Sequence, residues 1–170
     1  MTWQGRLAFF VDGVNRLAAL ACHGLLVVIT AITVMQVFLR FVLNRPTSWS
    51  EEIVLLCLIW FGLLAVAVGI RRHEHVAITF LRDLLPAPLA LALDYAAQLS
   101  MAGFMFAVTF YGADLIALTG VQVLPASGLP KALLYYPPIV GGTLGVFNAL
   151  ANVVLRDVGG PAHDEVGHAG

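Results

Sequence analysis

The sequence predicts an all-α integral membrane protein with about four transmembrane helices and an amphipathic N-terminal lead-in. Three observations predict it. Of the 170 residues, 60% are hydrophobic and only 11% are charged, against about 25% charged in an ordinary soluble domain. A chain of this size folding in water could not hide so much apolar surface in one core. The apolar residues also fall into four separate runs, and a helix of roughly 20 such residues crosses about 30 Å of hydrocarbon. The runs lack the apolar–polar alternation that a membrane β-barrel needs. Helices, which satisfy their own backbone in lipid, are the remaining solution.

The first span is read at residues 17–39, which contain no Asp, Glu, Lys or Arg. It is longer than the apolar region of a signal peptide, and no small-residue cleavage site follows it, so it is expected to be retained. Leu20-Ala21-Cys22 faintly suggests a lipoprotein site, but the main apolar stretch follows the cysteine instead of preceding it. Ahead of this span, Trp3, Leu7, Phe10, Val11, Val14 and Leu17 fall on one helical face, with Arg6, Asp12 and Arg16 off it. That pattern predicts an interfacial helix running into the span.

The second span is read at 53–70. Ser50 ahead of it is a candidate N-cap, Glu51 and Glu52 suit the positive end of the helix dipole, and Trp49 suits the headgroup layer. A functional reading puts Glu51 or Glu52 against a partner protein, and the two readings can coexist. Arg71 and Arg72 close the span, where arginines suit the last carbonyls and anionic headgroups. His73 and His75 are metal ligands by type, yet two residues apart on a helix they do not share a face. The third span, 95–113, lies between Asp94 and Asp114, which are expected near the interfaces. The fourth is read at 132–155, with Pro137-Pro138 expected to kink its start and Gly141 and Gly145 spaced for close packing. Residues 1–158 thus form one transmembrane domain, and the Gly-, Pro- and His-containing stretch 159–170 is expected to be a disordered cytoplasmic tail.

The side of the membrane follows from the basic residues. Four spans put the N-terminus, the middle loop and the C-terminus together, with Arg6, Arg16, Arg71, Arg72, Arg82 and Arg156. The other side carries Arg40, Arg45 and Lys131. The excess places both termini in the cytoplasm.

Function is constrained mostly by what the pattern excludes. The net charge of −1 points to no nucleic acid. Cys22 and Cys57 sit inside apolar runs without ligand spacing and read as small hydrophobes. No phosphate loop, nucleophile motif, catalytic carboxylate pair or internal repeat is recognisable, so no catalytic residue, cofactor or metal is assigned. A haem-bearing anchor subunit of an electron-transfer complex is the alternative. It needs histidines deep in the spans, and only His23 lies inside one. Gln36, Gln98, Asn148 and Asn152 are expected to hydrogen-bond between helices. No charge falls at a span midpoint, where a substrate-translocating chain usually needs one.

The middle of the chain then resembles a known family. Arg40-Phe41, the stretch Ser48-Trp49-Ser50-Glu51-Glu52, the apolar run with Trp60 and Gly62, and Arg71-Arg72-His73-Glu74-His75-Val76 occur in an order similar to that of the DctQ family. DctQ proteins are the small membrane subunits of tripartite ATP-independent periplasmic (TRAP) transporters. Gly128-Leu129-Pro130, Leu133 to Pro138 and Gly141-Gly142 extend the resemblance, with paired prolines where the family pattern suggests one. It covers roughly residues 10 to 155. The resemblance implies a non-catalytic subunit in the bacterial inner membrane that scaffolds a large membrane subunit, helps dock a periplasmic binding protein, and serves ion-driven symport of an organic acid. It makes Arg40, Trp49, Ser50, Glu51, Glu52, Arg71, Arg72 and His75 the candidate partner-contact residues.

Overall fold

A computed structural model describes residues 3–72, 85–119 and 121–155. Four helices dominate it: α1 (Trp3–Phe41), α2 (Ser48–Arg71), α3 (Ala87–Thr119) and α4 (Tyr136–Leu155), with a 3-10 turn at Lys131–Leu134 before α4. All four are long and apolar enough to cross a membrane. At 1.5 Å per residue they measure about 58, 36, 50 and 30 Å.

The ends of the helices have local causes. After α1, Asn44 takes a left-handed φ of 51°, the Arg45 N–H returns to the Leu39 carbonyl at 3.0 Å, and Pro46 bars helical continuation. The N-cap of α2 is Thr47, not Ser50. Ser50 lies in the first turn, fully buried, where its hydroxyl donates to the Thr47 carbonyl at 2.7 Å and lies 2.8 Å from the Thr47 hydroxyl. The lead-in and first span are one unbroken helix. The expected fourth span is divided, because residues 131–134 form a 3-10 turn and α4 begins at Tyr136. Pro137 and Pro138 then occupy the first turn of α4, where their missing N–H groups are not needed and no kink is required.

The helices pack in the order α1, α2, α4, α3. Helix α3 packs on α4 and makes no substantial contact with α1, so the arrangement is a row and not a closed bundle. Helix α4 is the more buried of the two inner members: 39% of its apolar window is buried, against 22% for α2 and 11% for α1 and α3. Small residues make this possible. A Cβ added at Gly141 would lie 2.8 Å from the Leu63 Cβ and 2.9 Å from the Leu63 carbonyl carbon and oxygen, which shows how closely α4 approaches α2. On the opposite side, Gly142 faces Thr109 and the Met105 carbonyl, Gly145 faces the Met105 side chain, and Gly112 of α3 faces Pro138. Ile70, Ala102, Met105 and Ala149 form the buried apolar cluster where α2, α3 and α4 meet.

The glycine contacts give a first test. Gly141→Ala sets a methyl against rigid backbone and is expected to destabilise by about 1–3 kcal/mol. Gly62→Ala, which meets open space, is expected to be neutral or slightly stabilising. Thermal unfolding of the two variants in detergent checks the contrast.

Candidate functional site

The polar residues of the structure gather into two clusters at opposite ends of the helices. The first is inside the packing. The buried face of α1 is Val11, Asn15, Ala18 and Cys22, at helical spacing, and so carries one polar residue. Asn15 Nδ2 donates to Asn148 Oδ1 at 2.7 Å, and Asn148 Nδ2 donates back to Asn15 Oδ1 at 2.7 Å. Asn148 Nδ2 also reaches the Ala67 carbonyl of α2 at 2.7 Å. One amide on α4 therefore joins three helices, and Asn148 is fully buried.

One turn further along α4, Asn152 donates to the Ile70 carbonyl at 2.9 Å. That carbonyl belongs to the last turn of α2, which lacks intrahelical donors. Asn152 Oδ1 in turn accepts from Arg71 Nη1 at 2.6 Å, and Arg71 Nε donates to Asp12 Oδ1 of α1 at 2.9 Å. The Arg71 side chain is 11% exposed and that of Asp12 is 59% exposed. The pair thus sits at the edge of the packing, and its Asp12 end is open to screening. Arg71 was expected at a partner surface or on headgroups, but these two bonds turn it toward its own chain. Arg72, the C-cap of α2, is exposed. His75 lies outside the described residues, as do His73, Arg82, Arg156 and the stretch 159–170.

The second cluster is at the start of α2. Glu52 accepts from the Ala126 N–H at 3.0 Å, the Ser127 N–H at 2.7 Å and the Ser127 hydroxyl at 2.7 Å. It thereby clamps the loop before α4. That loop is itself shaped by a bridge between Val123 and Pro130 and by Gly128, whose φ of 71° favours glycine. Glu52 lies ahead of the apolar span 53–70. The Ser127 hydroxyl bond lowers its pKa most, with the Ala126 and Ser127 amides adding to it against a lesser push upward from desolvation.

Glu51 accepts from Gln36 Nε2 of α1 at 3.1 Å and stays exposed. With Gln36, Arg40, Pro46, Thr47 and Ser48 it lines a cleft of about 40 Å³. The Arg40 guanidinium lies 5.9 Å from the centre of the Phe41 ring, and Trp49 is 43% exposed. Of the candidate contact residues, Arg40, Trp49 and Glu51 therefore face outward at one end, and Glu52 is used inside the chain. Ser50 is fully buried within the chain.

The residues expected to bond between helices are placed unevenly. Asn148, Asn152 and Gln36 do so. Gln98 is buried on α3, and so is Asp94, two turns inside that helix. Asp114 is exposed. His23, on which the haem alternative depends, is exposed on α1 and points away from the helix packing. Asn15 and the Asp12–Arg71 pair were not singled out from sequence. The signal for Asn15 was the i, i+4 and i, i+3 series Val11, Asn15, Ala18, Cys22, a face of small and polar residues unlike the bulky lipid-facing one.

Residues 29–158 match the family described as "Tripartite ATP-independent periplasmic transporters, DctQ component". The chain belongs to that family. It is 27% identical over 140 residues to the sialic acid TRAP transporter small permease protein SiaQ of Vibrio cholerae, covering 82% of this chain and 81% of that one. It is 36% identical over 73 residues to the sialic acid TRAP transporter permease protein SiaT of Haemophilus influenzae, covering 43% of this chain but 12% of that much longer one. It is also 25% identical over 88 residues to the C4-dicarboxylate TRAP transporter small permease protein DctQ of Vibrio cholerae, covering 52% and 37% of the two chains.

Two predictions follow from the clusters. In a double-mutant cycle, Asn15→Ala and Asn148→Ala are expected to couple by about 0.6–1.7 kcal/mol, the range of interhelical hydrogen bonds in membranes; unfolding in mixed micelles measures it. For Glu52 the sign follows from its lowered pKa. The clamp is complete above the ordinary glutamate pKa and is lost as the pH falls through the folded value. Hydrogen exchange over 121–130, corrected for the intrinsic rate, is expected to lose protection on acidification, and Glu52→Gln to show reduced protection without a pH step.

Proposed function

We propose that this chain is the small, non-catalytic subunit of a TRAP-type secondary transporter that takes up an organic acid by ion-driven symport. In this reading it lies in the bacterial inner membrane with both termini in the cytoplasm. It holds a long permease chain in place and helps dock a periplasmic binding protein. The observation that carries the reading is the family membership together with where the polar groups go. Asn15, Asn148, Asn152, Arg71 and Asp12 bond the chain to itself.

The relatives support the division of labour. SiaT matches over only 12% of its length, so a segment like this chain occurs in one polypeptide with a much longer permease portion. The sialic acid and C4-dicarboxylate named for the relatives are both organic acids, which supports that solute class. The six basic residues on one side against three on the other support the orientation. The exposed cluster of Arg40, Trp49 and Glu51 then faces the periplasm, on the side where a binding protein would arrive.

A tagged copy of the chain is expected to purify with a long TRAP permease, and deletion of the chain to abolish uptake. Recovery as a stable monomer, with uptake intact in the deletion strain, would refute the proposal. Replacing Glu51 by Gln is expected to reduce uptake while abundance in the membrane is unchanged, since Glu51 is exposed. Loss of abundance instead would assign Glu51 to holding α1 on α2 through Gln36.

A further inference from the structure

The outward surface of α1 divides into two unlike stripes. One carries Phe10, Leu17, Gly24 and Val28, with no hydrogen-bonding side chain, and needs nothing but lipid. The other carries Arg16, His23 and Thr30 at intervals of seven residues, with Leu20 and Val27 between them, all exposed. Thr30 is satisfied within its own helix, donating to the Leu26 carbonyl at 2.8 Å. His23 is the problem. Arg16 and Arg40 are 24 residues apart, about 36 Å along the helix, so the two arginines bracket a hydrocarbon layer of about 30 Å. His23 lies seven residues beyond Arg16, about 10 Å inward.

An imidazole always carries an N–H donor, and unlike Lys or Arg it is too short to extend to the headgroups from that depth. Polar, ionisable groups within a span almost always face protein or a water-filled cavity. Among the described residues, His23 faces neither. Lipid is therefore a poor cover for this stripe, although it suits the other.

A second copy of the chain is a poor cover as well. Copies inserted in the same orientation and packed through this stripe set Arg16 against Arg16 at equal depth, and like charges repel. A different chain can offer the complement. We infer that the Arg16–His23–Thr30 stripe of α1 is the seat of a transmembrane helix of the long permease, one that presents a hydrogen-bond acceptor at the depth of His23 and a carboxylate or helix C-terminal carbonyls at the level of Arg16. This rests on the reading of the chain as a transporter subunit.

The test is site-specific photo-crosslinking in membranes of cells producing this chain with the long permease of its own transporter. A photoreactive residue is placed in turn at His23, Val27 and Thr30, and at Phe10, Leu17 and Val28 on the neighbouring stripe, roughly a third of a turn around the helix. The expected result is an adduct with the permease, identified by mass spectrometry, from the first three positions and not from the second three. His23→Leu is expected to lower permease recovered with the tagged chain by about fivefold, the effect of one lost interhelical hydrogen bond, with membrane abundance unchanged.

Adducts from the neighbouring stripe only, from both stripes equally, with a second copy of this chain, or with lipid alone would each overturn the inference. So would unchanged or increased recovery for His23→Leu. Co-purification of the unlabelled wild-type complex separates the two levels. If the permease co-purifies but the stripe does not crosslink, the assignment of this face fails alone. If the permease never co-purifies, the proposed function fails with it.

Discussion

The structure depends on the pairing of Asn148. Hydrocarbon offers no hydrogen-bond partner, so a buried amide in a membrane helix must find its bonds in the protein. Asn148 finds them on two other helices, giving to and taking from Asn15 on α1 and giving to the Ala67 carbonyl on α2. Sliding either neighbour by one helical turn, about 5.4 Å, breaks these bonds. The amide therefore fixes register. The glycines of α4 act differently: Gly141 against Leu63 and Gly142 against Met105 set distance. Between helices in lipid the hydrophobic effect gives little attraction, and close packing and polar bonds must supply it. Distance and register come from interleaved residues of one helix, which is why α4 is the more buried of the two inner helices.

A row has consequences that a closed bundle lacks. Helix α3 packs on α4 and not on α1, so both broad faces of the array and both of its edges stay uncovered among the described residues. Large side chains such as Phe104, Phe106 and Phe110 of α3 are more than half exposed. The apolar surface suits lipid or protein equally, and only polar groups on it discriminate. That asymmetry gives α1 its interest, because one of its outward stripes carries an ionisable side chain at membrane depth and the other does not.

The helical architecture was legible in sequence because it rests on composition and run length, which need no knowledge of packing. The amides of Asn148 and Asn152 were legible as bonding residues for the same reason, since a polar group in an apolar run has few other uses. Their partners were not, because those are set by which helices become neighbours. Ser50 was misplaced as the cap because two hydroxyls compete there, and Pro46 stops the preceding backbone one residue before Thr47. The split of the expected fourth span at Tyr135 follows from Pro137 and Pro138, which can open an α-helix but cannot lie within one. Asp94, expected near a membrane interface, is buried two turns inside α3, because that helix begins at Ala87, well before the apolar run does.

The two ends of the α1–α2 pair bear on what kind of subunit this is. At one end Arg71 of α2 holds Asp12 of α1; at the other Gln36 of α1 holds Glu51 of α2. Two separated bonds between antiparallel helices resist relative rotation, since a turn of one helix must break both. Asn15 and Asn148 tie the same pair to α4, and Glu52 ties the loop before α4 back to α2. A chain that alternates between inward- and outward-open states must have elements that rearrange, and polar groups that exchange partners as they do. Here the paired groups connect α1, α2 and α4 into one unit whose bonds are all made at once. That favours a rigid frame for these three helices over elements that exchange partners within the chain.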